Sequence, residues 1–167
     1  MNLGFGKFVR LNSLISCSKK YKTAVNEMKK NSVNRLLQQT SKIKVNFESK
    51  FELSKNNYIF RFLLEDEDAS LGVEPCQFVN IQSEVKTKSN SNGELLSKPY
   101  HPISLDTDKG FVDFLIKIYN PNESMFNDSN YGVFSNFLYN LQKGQTVELT
   151  GPYGNIIYKE NGLFHIR

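Results

Sequence analysis

Between Lys42 and Gly151 the chain keeps returning to one pattern, short runs in which every second side chain is apolar. In "KIKVNFESKFEL" Ile43, Val45 and Phe47 alternate with Lys42, Lys44, Asn46 and Glu48. "NYIFRFLLE" sets Tyr58, Phe60, Phe62 and Leu64 against Arg61, and "QFVNIQSEV" sets Val79, Ile81, Ser83 and Val85 against Asn80, Gln82 and Glu84. "GFVDFLIKIYN" carries Phe114, Ile116 and Ile118 in register, and "QTVELTG" adds Val147 and Leu149. A helix would scatter these side chains around its axis. An extended strand, with its period of two, gathers them on one face. β-branched and aromatic residues dominate the buried positions, as strands require. "EDEDAS" (65–70) and "KSNSNGE" (88–94) read as polar connectors, the second as a hairpin loop.

One segment changes period. In "YGVFSNFLYNLQKG" Val133, Phe134, Phe137, Leu138 and Leu141 form a helical stripe, with Gly132 ahead of it and Lys143-Gly144 as cation and terminator behind it. With the proline-bearing run near residue 100 as an edge strand, the count is about six strands and one helix. The expected fold is mainly β, a six-stranded antiparallel Greek-key-type barrel. Closing the sheet removes its edges, and the helix caps one open end.

At 167 residues the chain suits one domain with a real core and is short for two. The net charge of +4 hides a split. Residues 1–40 carry eight Lys/Arg against Glu27 alone, and residues 41–167 carry thirteen basic and sixteen acidic side chains. The body is therefore mildly acidic, which argues against a nucleic-acid-binding barrel. The leader has the composition of a basic disordered tail, of a mitochondrial-type transit segment, or of a membrane-surface helix that would give peripheral association. No apolar run reaches the roughly 18 residues of a membrane span. Cys17 and Cys76 stand far apart, which favours reduced thiols in an intracellular protein over a disulfide or zinc framework.

Hydrolytic chemistry finds little support. His101 and His165 are the only histidines, no G-x-S-x-G is present, and no metal-ligand spacing occurs. No catalytic residue and no metal ligand is assigned. Two features do suit an anionic, aromatic ligand. In "KPYHPIS" Pro99 and Pro102 hold Lys98, Tyr100 and His101 in extended geometry on an edge that a ligand can approach. Alone, this run reads first as an edge strand with a surface lysine and a packed tyrosine. In "SNYGVFSNFL" Gly132 precedes a helix start with Ser135 in its first turn, where unpaired N–H groups could seat a phosphate. Alone, that is also a plain glycine turn. Both together favour a dinucleotide.

"LLSKPYHPISLDTDKGFVDFLIKIY" followed by "GVFSNFLYNLQKGQTVELTGPYG" resembles the FAD-binding domain of the NADH–cytochrome b5 reductase family, within the ferredoxin–NADP reductase-like flavoproteins. The similarity runs from about Phe47 to Arg167 and includes "LGVEPCQFVNIQ" (71–82). It implies that Lys98, Pro99, Tyr100, His101 and Pro102 occupy the family's R-P-Y-[T/S]-P motif. Lys98 would then face the FAD phosphates, Tyr100 would pack on the isoalloxazine and ribityl, and His101 would lie near the reactive flavin edge. Backbone groups of Leu115 and Lys117 would address the pyrimidine side. The amides of Gly132, Val133, Phe134 and Ser135, with the Ser135 hydroxyl, would take the diphosphate.

"TGPYG" (150–154) resembles the family's R-G-P-x-G turn with Thr150 in place of arginine, and two further substitutions fall at the ligand motif. Lys98 replaces a planar arginine fork by a single hydrated charge, and His101 replaces a small hydroxyl residue. The family's nicotinamide-binding α/β domain finds no βαβ pattern left over here, so residues 41–167 are expected to be the FAD barrel alone. NADH would be held by a domain outside this chain, and a cytochrome b5-like haem protein would be the electron acceptor. The alternative is a flavin-binding module without reductase activity of its own.

Overall fold

The computed structural model describes residues 35–37, 41–87, 90–120 and 131–166. The expectations for the leader fall on residues outside these, apart from Arg35–Leu37. Six strands form one antiparallel sheet: β1 (Ser41–Ser54), β2 (Asn57–Leu63), β3 (Phe78–Val85), β4 (Glu94–Tyr100), β5 (Phe111–Lys117) and β6 (Thr146–Tyr153). The helix α1 (Val133–Tyr139) lies between β5 and β6 in the chain, and a separate hairpin follows, β7 (Ile156–Glu160) with β8 (Leu163–Ile166).

The spatial order β4-β3-β6-β1-β2-β5 places the late strand β6 between β3 and β1, the crossover of a Greek key. The strand ladders leave the sheet open between β4 and β5. The run beyond β4 spans that gap: Pro102 bridges Phe114, and the Ile103 amide donates to the Asp113 carbonyl at 2.9 Å.

The alternation seen in the sequence becomes the core. Val45, Phe60, Phe62, Val79, Ile81, Val112, Phe114 and Leu149 are fully buried and form one cluster with Phe134 and Leu138 of the helix. Phe47, Phe60 and Phe62 pack edge-on or tilted, with ring centres 5.7–6.0 Å apart.

Three details differ from the sequence reading. The helix stops at Tyr139, short of the Lys143-Gly144 terminator. Asn140 turns its amide back to Asn136 and Phe137, and the Leu141 amide closes onto Leu138, so Leu141 is buried from outside the helix. Lys143 instead pairs with Glu48. The barrel also reaches upstream of Ser41. Leu36 and Leu37 donate to the carbonyls of Ser70 and Leu71, Leu37 is buried, and Arg35 pairs with Asp106 at 2.6 Å. Finally, Asn161-Gly162, both at positive φ, turn the β7–β8 hairpin.

Candidate functional site

β4 has one neighbour, β3, with Asn80 opposite Pro99 and Ile81 opposite Lys98. That edge position is what admits a proline into the strand. Lys98 remains exposed, while Tyr100 turns inward against Phe114 and the helix residue Phe134, 6.4 Å from each ring centre. Its ring lies 29° from the plane of Phe134. Burial pushes the Tyr100 phenol up to about 12, with a smaller contribution from Tyr119, so the hydroxyl is a neutral donor at physiological pH.

Across from β4 the helix start is stitched to the end of β5. The Ser135 hydroxyl accepts the Tyr119 amide at 3.1 Å and donates to the Gly132 carbonyl at 3.0 Å. Asn136 Nδ2 donates to the Tyr119 carbonyl at 2.7 Å and to the Gly132 carbonyl at 2.8 Å. Gly132 sits at φ 72, and a Cβ there would meet the Tyr119 carbonyl oxygen at 2.4 Å. Only glycine lets these two segments approach so closely.

Between them lies a cavity of about 380 Å³ lined by Lys98, Pro99, Tyr100, Tyr119, Tyr131, Gly132, Phe134 and Ser135. The sequence motifs around residues 98–100 and 132–135 thus converge on one space. It offers a cation, several aromatic faces and the first turn of α1, a donor set that fits a flavin dinucleotide.

The backbone edge of β5 away from β2 meets the run that follows β4. The Asp113 amide and carbonyl bond to Ser104 and Ile103, and the Tyr119 amide and carbonyl bond to Ser135 and Asn136. In an antiparallel pair alternate residues turn their polar groups to the same edge. Leu115 and Lys117, with the parity of Asp113 and Tyr119, therefore direct their N–H and C=O groups away from β2, between these two fastened points. The Leu115 side chain is exposed, and the Lys117 ammonium lies 5.3 Å above the Tyr119 ring.

Of the residues named from sequence, Leu115 and Lys117 of β5, Val133 and His101 do not line this cavity. Val133 faces a groove on the other flank of the helix with Val85 and Leu141. His101 lines a second cavity of about 210 Å³ with Cys76, Gln77, Ser104 and Asp106. Its ring packs against Phe78 at 5.7 Å, and Nδ1 lies 3.1 Å from the Gln77 carbonyl, so Nδ1 carries the proton and donates. Tyr119 and Tyr131, edge-to-face at 5.4 Å, were not singled out from sequence. The available signal was their position, one at the end of the β5 alternation and one directly before Gly132. Among the described residues no cluster of His, Cys, Asp and Glu could hold a metal ion.

Residues 44–158 match the family model described as the oxidoreductase FAD-binding domain. NADH-cytochrome b5 reductase 3 of Mus musculus is 33% identical over 120 residues, covering 69% of this chain and 36% of that protein. NADH-cytochrome b5 reductase 2 of Xenopus tropicalis is 34% identical over 133 residues, covering 79% and 41%. The cytochrome b5 reductase domain of Ulva prolifera nitrate reductase superposes with a TM-score of 0.72 at 26% identity, covering 79% of this chain and 48% of that one. The chain thus spans less than half the length of these relatives.

Proposed function

The chain belongs to the oxidoreductase FAD-binding domain family, with FAD as its cofactor, and on that premise we propose that it is the flavin-holding part of an NADH–cytochrome b5 reductase-like enzyme. In such an enzyme NADH is the electron donor, held by a nicotinamide-binding domain outside residues 34–167, and a cytochrome b5-like haem protein is the acceptor. Bound FAD supplies the hydride and single-electron chemistry; the polypeptide binds and orients it.

The observation that carries this reading is the meeting of Lys98 and Tyr100 with Gly132 and Ser135 around one cavity. In it Lys98 neutralises phosphate charge, and Tyr100 presents its ring to the isoalloxazine and ribityl. The amides of Val133, Phe134 and Ser135 have no carbonyl partner earlier in the helix and take the diphosphate. The Ser135 hydroxyl has already given its proton to Gly132, so its part is to brace the helix start against β5. The edge formed by Leu115 and Lys117 supplies N–H and C=O groups to the pyrimidine side of the ring.

Titration of the purified protein with FAD, followed by flavin fluorescence, tests the assignment. Saturable quenching is expected, and Lys98→Ala should weaken it about tenfold or more, the loss of one charge-assisted contact. Absence of any flavin response sinks the reading; an unchanged affinity in Lys98→Ala removes Lys98 from the phosphate site. A second reading, a flavin module without reductase activity of its own, draws on the bulky His101 that follows Tyr100 where the family pattern has a small hydroxyl residue. It predicts bound FAD that NADH and a haem acceptor fail to turn over.

A further inference from the structure

Lys50 is exposed, yet it points to the face of the sheet that carries the helix. β1 carries a register shift between Phe47 and Ser49, a β-bulge that makes Glu48 the extra residue. Before the bulge the odd residues Val45 and Phe47 face the core; beyond it Lys50 stands opposite the fully buried Phe60. The bulge thus turns Lys50 to the side on which α1 lies. Its ammonium donates to the carbonyl of Tyr139, the last residue of the helix, and sits 4.1 Å above the Tyr139 ring. On the neighbouring strand Tyr58 meets the same ring edge-on at 5.1 Å. Glu48 itself takes Lys143, in the turn after the helix, at 2.5 Å.

α1 is seven residues long, with no side-chain bond at its N-cap and no basic residue in its own last turn. A helix of that length is unstable alone and keeps its place only by what fastens it. Its first turn is tied to Tyr119, and its middle is packed into the core through Phe134 and Leu138. The cation that its C-terminal carbonyls favour comes from another element, the far half of β1.

We propose that Lys50 is a positioning residue for the cofactor. By capping the far end of α1 it raises the fraction of molecules whose helix start is seated against the cavity. This rests on the FAD reading, because the helix start is the part of the site assigned to the diphosphate. Apparent affinity scales with the competent fraction, so a loosened helix weakens ligands that carry the diphosphate. Riboflavin, with the same ring and ribityl but no phosphate, is spared.

The test compares FAD and riboflavin binding to the full 167-residue chain and its Lys50→Met and Lys50→Arg variants, by flavin fluorescence, with thermal midpoints measured without ligand. Lys50→Met keeps an unbranched side chain of similar length and removes the charge that sits over the Tyr139 ring. It should weaken FAD roughly three- to tenfold, the scale of an exposed cation–π contact plus a helix-terminus charge, and leave riboflavin within about twofold. Lys50→Arg, which keeps the cation, should restore FAD affinity. Parallel losses for both ligands would reduce Lys50 to general packing and overturn the proposal, as would unchanged FAD affinity in Lys50→Met. A wild-type protein that binds neither ligand would overturn the FAD reading itself, a different result from a wild type that binds FAD and a variant that binds it equally.

Discussion

The Ser135 hydroxyl takes the Tyr119 amide proton at 3.1 Å, tying the first turn of α1 to the chain leaving β5. The same hydroxyl gives its own proton to Gly132, and the side chain is buried. Ser135→Ala leaves a donor and an acceptor without that partner, a loss of about 1–3 kcal/mol for a buried pair. Urea denaturation should show a midpoint shift of that size with an unchanged slope. A change below roughly 0.3 kcal/mol would mean that water or Asn136 replaces the hydroxyl without loss.

The barrel was readable because one face of each strand is buried, which makes alternation compulsory along β1, β2, β3, β5 and β6. β4 was harder: as an edge strand with Pro99 it carries little alternation, and proline was its main signal. The β7–β8 hairpin went unassigned although Asn161-Gly162 is a strong turn signal. Its apolar pairs, Ile156 with Ile166 and Tyr158 with Phe164, are exposed and so did not read as a core face. The bulge at Glu48 left no mark in the sequence. At the site, the motifs pointed to Lys98, Tyr100, Gly132 and Ser135, which the fold brings together. His101 follows Tyr100 directly, and in extended backbone neighbours leave on opposite sides. The ring consequently lies in the adjoining cavity.

Burial of Tyr100 sets a pH dependence. The phenol ionises near 10 in the unfolded chain and at about 12 in the fold. Below pH 10 both states hold the proton and the contribution to stability is whole. Between pH 10 and 12 the unfolded state releases the proton first, so stability falls as pH rises, by roughly 2–3 kcal/mol once both have ionised. Denaturation measured from pH 9 to 11 should fall less steeply in Tyr100→Phe, which lacks the group. Equal slopes would place the Tyr100 hydroxyl in water.

Lys98 offers a single point charge where a guanidinium would offer a planar fork. Its side chain is exposed, and the strand that carries it is held by its pairing with β3, so the exchange Lys98→Arg should leave the fold alone. Tighter FAD binding, by about three- to tenfold, is expected from two parallel bonds to phosphate in place of one. The gain should shrink as salt rises, as an exposed charge contact requires. Equal or weaker binding, measured by fluorescence titration at two salt concentrations, would show that the site is built around the ammonium.

Gly132 and Gly144 adopt nearly the same backbone, φ 72 and φ 86, yet substitution should separate them. At Gly144 no atom lies within 4 Å of the place an added methyl would take, so Gly144→Ala meets only the left-handed backbone penalty, about 1 kcal/mol. At Gly132 the same methyl would stand 2.4 Å from the Tyr119 carbonyl oxygen and 3.1 Å from its carbon. Backbone atoms cannot swing aside as a side-chain end can, so the helix start must move off β5, breaking the bonds of Ser135 and Asn136 to Tyr119. Gly132→Ala should cost several times more stability than Gly144→Ala, on the order of 3 kcal/mol or more. It should also weaken FAD binding, because the displaced turn is the one assigned to the diphosphate, whereas Gly144→Ala should bind FAD as wild type does. Thermal denaturation and fluorescence titration of the two variants side by side decide the matter. Equal losses at both positions would mean that the approach of Gly132 to Tyr119 is not what seats the helix.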